Sequence, residues 1–113
     1  MNQLETIDRN NWEDFMQAPA TVLMIGKTDC PACQVWGEEL NTFLQEDEAW
    51  NHVRFGKVLL DQPGLIGFKR ANPWLSDVKD LPFTVVYKDG ENKKSFAGGG
   101  LNRLLKRMEK ALS

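Results

Sequence analysis

Cysteine, histidine and tyrosine are scarce in this sequence: two, one and one residue respectively among 113. There is no second Cys-x-x-Cys, and His52 is the only histidine, so the usual four-ligand structural zinc site is left incomplete. No stretch approaches the ~20 apolar residues of a membrane span. Met1-Asn2-Gln3-Leu4-Glu5 has neither the basic start nor the apolar run of a secretory leader. A soluble, cytoplasmic chain with no membrane partner is therefore expected. An excess of one charge is also missing. Fourteen lysines and arginines against sixteen acidic residues give a net charge of −2, which argues against nucleic acid as a partner. Lys106, Arg107 and Lys110 are spaced among leucines and read as the solvated face of a helix. Repeats, linkers and low-complexity tracts are absent. The expectation is one domain over residues 1–113, large enough to bury a modest core unaided, and a monomer.

What is present is a regular alternation of patterns. Leu4 to Ile7 suggests a short strand, and Trp12, Phe15 and Met16 a short amphipathic helix closed by Pro19. Thr21 to Ile25 is a continuous apolar run, as expected of a central strand covered on both faces. After Lys27-Thr28-Asp29 and Cys30, Pro31 suits a first helical position. Cys33, Trp36, Leu40, Phe43 and Leu44 then share one helical face. Val53 to Leu60 reads as a strand, Leu65 to Ala71 as a helix ended by Asn72-Pro73, and Phe83 to Tyr87 as a strand. Asp89-Gly90 signals a hairpin to Lys93–Ala97, and Leu101, Leu104, Leu105, Met108 and Leu112 mark a last helix. The order β-α-β-α-β-α-β-β-α implies an α/β domain with a mixed sheet and helices on both faces.

The chemistry centres on Cys30-Pro31-Ala32-Cys33. A cysteine capping a helix meets unpaired N–H groups and the positive end of the dipole, which favour the thiolate. A second cysteine about one turn on can attack a mixed disulfide formed by the first. Cys33 lies on the apolar stripe and is expected to be buried. Cys30 precedes the stripe and is expected to be the exposed nucleophile, held by the N–H groups of Ala32 and Cys33. The charge of Asp29 adjoins Cys30 and opposes the dipole. Half a metal site and a silent pair of core cysteines are the competing readings; neither accounts for the strand-to-helix position as well as redox chemistry does.

Cys30-Pro31-Ala32-Cys33 after an apolar strand, Leu81-Pro82 before another, Lys88-Asp89-Gly90-Glu91 and then Gly98 resemble thioredoxin from about Leu4 to Leu112. The resemblance implies the thioredoxin fold and a cis Leu81–Pro82 bond facing the cysteines, the one kind of peptide bond that adopts cis at low cost. It implies a substrate resting on Pro31, Ala32, Leu81, Pro82 and Gly98, and no bound cofactor beyond a Cys30–Cys33 disulfide. Three departures stand out. The residue before the motif is Asp29 rather than tryptophan, and a proline at the first inner position is closer to glutaredoxins. Met24 occupies the place of the family's buried aspartate, while Lys57 matches that aspartate's lysine partner. The proton of Cys33 must then leave through Lys57, water or the substrate. Between Asp61 and Pro82 the chain is a few residues longer than a minimal thioredoxin, the extra segment falling near Ala71–Leu75. Its Trp74 covers that loop's own core or faces substrate, the former being the plainer reading. Trp12, Trp36 and Trp50 read as packing residues.

The leading expectation is a thiol–disulfide oxidoreductase acting on disulfide-containing proteins, recharged by a flavin- or ferredoxin-dependent thioredoxin reductase. A glutathione-dependent, glutaredoxin-like enzyme is the second, favoured by Pro31 and Gly98-Gly99-Gly100. A non-catalytic adaptor docking through the Cys30/Pro82 face is the third.

Overall fold

A computed structural model describes residues 2–112. Its elements follow the expected order: β1 (Leu4–Ile7), α1 (Trp12–Gln17), β2 (Ala20–Gly26), α2 (Pro31–Glu46), β3 (Arg54–Leu59), α3 (Ile66–Ala71), β4 (Phe83–Lys88), β5 (Glu91–Ala97) and α4 (Leu101–Leu112). They form one five-stranded sheet in the order β1-β3-β2-β4-β5. β1, β3 and β2 run parallel, and β4 and β5 are antiparallel additions.

β2 lies in the middle of the sheet, which explains its unbroken apolar run. Its side chains alternate between two separate cores. Val22 and Met24 join Trp36, Leu40, Leu44, Phe55, Val86, Leu104 and Met108 beneath α2 and α4. Leu23 and Ile25 join Ile7, Phe15, Val58, Phe68, Val85 and Tyr87 beneath α1 and α3. Each such side chain, fully buried, contributes roughly 1.5–3 kcal/mol of transfer free energy. Asp89 and Gly90 both adopt positive φ, 53° and 80°, the conformation a two-residue hairpin turn demands. The strand after the turn begins at Glu91, two residues earlier than the pattern suggests, because its first five side chains are all polar and exposed on an edge strand and leave no apolar trace.

The long segment after α3 forms a 3-10 turn, Pro73–Asp77. It is pinned by Asn72, a buried polar residue. The Asn72 amide donates to the Phe68 carbonyl at 2.9 Å and its Oδ1 accepts from the Tyr87 hydroxyl at 3.0 Å. Trp74 packs against the rings of Phe83 and Tyr87, with centroids 5.9 and 6.5 Å away. It therefore covers the core of its own loop. Trp12 meets Phe68 edge-on, and Trp50 stacks on the exposed His52. Of the C-terminal basic residues, Lys106 and Lys110 are exposed, whereas Arg107 is half-buried over the Phe96 ring, beside Arg103.

Candidate redox site

β2 ends at Gly26, and the chain turns through Lys27-Thr28-Asp29 into the first turn of α2. That turn is anchored across the sheet end. The Thr28 N–H donates to both carboxylate oxygens of Asp61, at 3.1 and 3.3 Å. Desolvation pushes the Asp61 carboxyl up, but the hydrogen bonds from Thr28 and the charge of Lys27 outweigh it and hold it below its ordinary value. Cys30 is the N-cap of α2 and Pro31 the first helical residue, where the missing N–H breaks no helical bond.

Cys30 and Cys33 form a disulfide, with their Cα atoms 5.2 Å apart. The Cys33 N–H donates to the Cys30 sulfur at 3.2 Å. Among the described residues it is the only N–H to do so; Ala32 does not share in holding the sulfur. Cys30 is 7% and Cys33 2% exposed. The expectation of an exposed Cys30 is thus corrected for the oxidised form: its sulfur is bonded to Cys33 and tucked under the helix N-terminus, which leaves only a narrow opening. Cys30 is still the more open of the two. Asp29 is exposed beside it. Gly26 makes room for the pair, since a Cβ there would lie 3.0 Å from the Cys33 sulfur.

The Leu81–Pro82 bond is cis. Pro82 and Gly98 are joined at the open end of the β4–β5 hairpin, where the Gly98 N–H donates to the Pro82 carbonyl at 2.7 Å. Together with Ala32, Val35, Trp36, Glu39, Gly99 and Gly100 they line an open depression beside the disulfide, about 460 Å³ in volume. Ala32, Pro82 and Gly98 are therefore brought together as the sequence suggests. Pro31 is exposed outside the depression, and the Leu81 side chain packs into the α1/α3 core instead. A chain of hydrogen bonds braces the floor. The Trp36 indole N–H donates to Thr84 Oγ1 at 3.0 Å, and the Thr84 hydroxyl donates to the Gly98 carbonyl at 3.2 Å. Gly99 lies flat on the indole, where a Cβ would come within 2.6 Å of the ring.

Lys57 is on the other side of the redox pair. It pairs with Met24 in the β2–β3 register, half-buried, and both line a second cavity of about 360 Å³ that reaches Cys33. Gln34, Glu38 and Asn41 of α2 form its outer wall. Sequence reasoning missed these three, although their i, i+4, i+7 spacing marks a polar stripe flanking the apolar one. Met24 fills the floor with a thioether that takes no proton, while Lys57 and Glu38 bring ionisable groups to the cavity that touches Cys33. Among the described residues, no group of three or more His, Cys, Asp or Glu side chains is gathered to hold a metal. No helix among them is long and apolar enough to cross a membrane.

No protein-family model and no curated protein sequence matches the chain. Solved structures do. Thioredoxin f from spinach chloroplast, in its long form, superposes with a TM-score of 0.79 at 15% identity, covering 98% of this chain and 88% of that one. The thioredoxin f2 solved in complex with ferredoxin:thioredoxin reductase gives 0.76 at 18% identity, covering 98% and 96%. Thioredoxin O2 from Arabidopsis thaliana, in its oxidised state, gives 0.74 at 16%, covering 99% and 96%. The fold is that of thioredoxin, as the sequence resemblance implies, and the Cys-Pro-Ala-Cys pair stands within it at the start of α2.

Proposed function

We propose that this chain is a thiol–disulfide oxidoreductase that reduces disulfides in protein substrates by cycling between the Cys30–Cys33 disulfide and dithiol. One observation carries the reading: the disulfide sits at a helix N-terminus, and Ala32, between its two cysteines, lines a depression walled by a cis proline. In the reduced form, the Cys33 N–H and the helix dipole favour a Cys30 thiolate. That thiolate attacks a substrate disulfide, forming a mixed disulfide and expelling one substrate thiolate, which takes up a proton. The Cys33 thiol loses its proton and attacks the Cys30 sulfur. The second substrate thiolate leaves, and the Cys30–Cys33 disulfide forms. Two electrons pass to the substrate.

Ala32, Pro82 and Gly98 hold the substrate strand beside the disulfide, with Pro31 and the Leu81 backbone at its margins. Asp29 adds a negative charge that tempers the Cys30 thiolate. Lys57 serves the proton of Cys33 through its cavity. A thioredoxin-reductase-type donor returns the electrons; the likeness to a thioredoxin f2 bound to ferredoxin:thioredoxin reductase supports such a partner. The same reading takes the chain to act as a monomer in a reducing cytoplasm, with no bound cofactor.

The test is insulin reduction by protein primed with dithiothreitol. Wild type should precipitate insulin well ahead of dithiothreitol alone, and Cys30→Ser should not. A wild-type rate equal to the dithiothreitol background would leave only an adaptor role. Recycling by thioredoxin reductase, by ferredoxin:thioredoxin reductase, or by glutathione with glutathione reductase then identifies the donor.

A further inference from the structure

Helix α2 carries acidic side chains and no lysine or arginine of its own. From Pro31 to Glu48 there are five acidic residues and no lysine or arginine, while the rest of the chain taken together is net positive. Three of the five, Glu38, Glu39 and Glu46, line a shallow depression on the outer face of α2 together with Val35, Thr42, Phe43 and Leu101. None of the three forms an ion pair among the described residues. Val35 is 55% exposed, and only it and Ile66 are large hydrophobic side chains left so open among the described residues. Val35 and Glu39 also line the depression beside the disulfide, so the two hollows form one groove. It follows the stripe Ala32, Val35, Glu39, Thr42, Phe43 and Glu46, at helical spacings of three, four and seven. The fourteen helical steps from Ala32 to Glu46 span roughly 21 Å, the length of about six residues of extended chain.

We propose that this groove docks the redox substrate through an extended segment beside its disulfide cysteine, one that carries an aliphatic anchor for Val35 and Phe43 and lysine or arginine for Glu39 and Glu46. The assignment rests on the oxidoreductase reading and adds a substrate class to it. Two observations select a basic partner. The groove is continuous with the site where the disulfide must lie, and the charged side chains that line it are carboxylates, none of them in an ion pair among the described residues; the nearest cation, Arg103, is turned to the Gly99 carbonyl at the far end. An acidic segment would meet three like charges. An uncharged apolar one would leave them stranded at the rim of a newly desolvated contact.

The probes are two synthetic peptides with one disulfide each, identical except that the residues beyond an aliphatic neighbour of the cysteine are lysine in one and glutamate in the other. At low ionic strength wild type should reduce the lysine peptide with about tenfold higher kcat/KM, the effect of two or three exposed charge pairs. The preference should vanish toward 1 M salt, where the screening length falls to about 3 Å. Glu39→Gln/Glu46→Gln should lose the preference. Val35→Asn, an exposed change that leaves the fold intact, should weaken both peptides while keeping their ratio. Docking is read separately from chemistry by amide shifts on titrating the lysine peptide with serine in place of both cysteines. The shifts should be confined to 32–46 and 98–101. Equal kcat/KM for the two peptides, or a preference that survives in Glu39→Gln/Glu46→Gln, overturns the proposal. So does a salt-sensitive dimer in sedimentation that the same double variant abolishes, since that would assign the groove to a second copy. Shifts without turnover of either peptide would sink the oxidoreductase reading and leave the docking surface standing.

Discussion

Met24→Asp tests the most consequential departure of this site. With a thioether below Cys33, the floor of its cavity offers no proton acceptor, and Lys57 and Glu38 stand at the walls. At an ordinary thiol pKa of about 8.5, roughly 3% of Cys33 would be thiolate at pH 7. Release of the mixed disulfide should then limit turnover and accelerate about tenfold per pH unit up to that value. Complete relief by a local base is therefore worth about thirtyfold at pH 7. Met24 and Lys57 are register partners on adjacent parallel strands, whose spacing of about 4.8 Å is well within reach of a lysine side chain. An aspartate at position 24 should thus be ionised and paired. Its stability cost should be that of the lost methionine packing, about 2–3 kcal/mol. The sign of the pH dependence separates this from an unpaired carboxylate. If desolvation raised the folded pKa above the unfolded value of about 3.9, stability would fall by up to about 1.4 kcal/mol per pH unit between the two values and stay low above them. With Lys57 as partner the folded pKa is not raised, so the cost should be flat from pH 5 to 8. The double variant Met24→Asp/Lys57→Met should restore the fall. Stopped-flow measurement of both thiol-exchange steps, alongside urea denaturation, reads all of this. Equal resolution rates for wild type and Met24→Asp at pH 7 would refute the reasoning and show that Cys33 loses its proton by another route.

Three further outcomes are expected. Cys33→Ser should accumulate mixed disulfides with proteins from lysate, visible on non-reducing gels, whereas Cys30→Ser should trap none; the opposite pattern would exchange the roles of the two cysteines. Tyr87, the only tyrosine, is buried and its hydroxyl is pushed well above the ordinary value of 10.0. Ultraviolet titration of the folded protein should show no ionisation near pH 10, while the unfolded chain ionises there. Folding stability should accordingly fall by up to about 1.4 kcal/mol per pH unit above pH 10, a slope that Tyr87→Phe removes. Gly99→Ala should destabilise the fold by about 1–3 kcal/mol in urea titration, because its Cβ meets the rigid Trp36 ring rather than a yielding side chain. An unchanged midpoint would mean that the loop slides freely over the indole.

Much of this was legible in the sequence, for identifiable reasons. The apolar run Thr21–Ile25 could only be a strand covered twice, and its residues do divide between two cores. Asp89-Gly90 carried its own turn geometry, and Cys30-Pro31 its own helix start. What stayed hidden depends on neighbours distant in sequence. Periodicity assigned Cys33 to a buried face but said nothing of a hollow between α2 and β3. The sequence aligned Lys57 with a missing partner without revealing Glu38 across the same cavity. Asn72 looked like a helix stop. Its burial against Tyr87 became visible only once β4 was in place beneath it. Cys30 looked exposed because a helix cap normally is; the disulfide turned its sulfur inward.

The hydrogen bond from Gly98 to the Pro82 carbonyl closes the open end of a hairpin whose other end is the Asp89-Gly90 turn. One wall of the groove, from the cis proline to the glycines, is therefore encoded by a single uninterrupted stretch of chain, while the sulfur chemistry is encoded far upstream. The two can change independently. Exchanging that hairpin alone would graft another recognition wall onto the same reactive pair, provided that threonine at position 84 and glycine at position 99 travel with it to seat the indole.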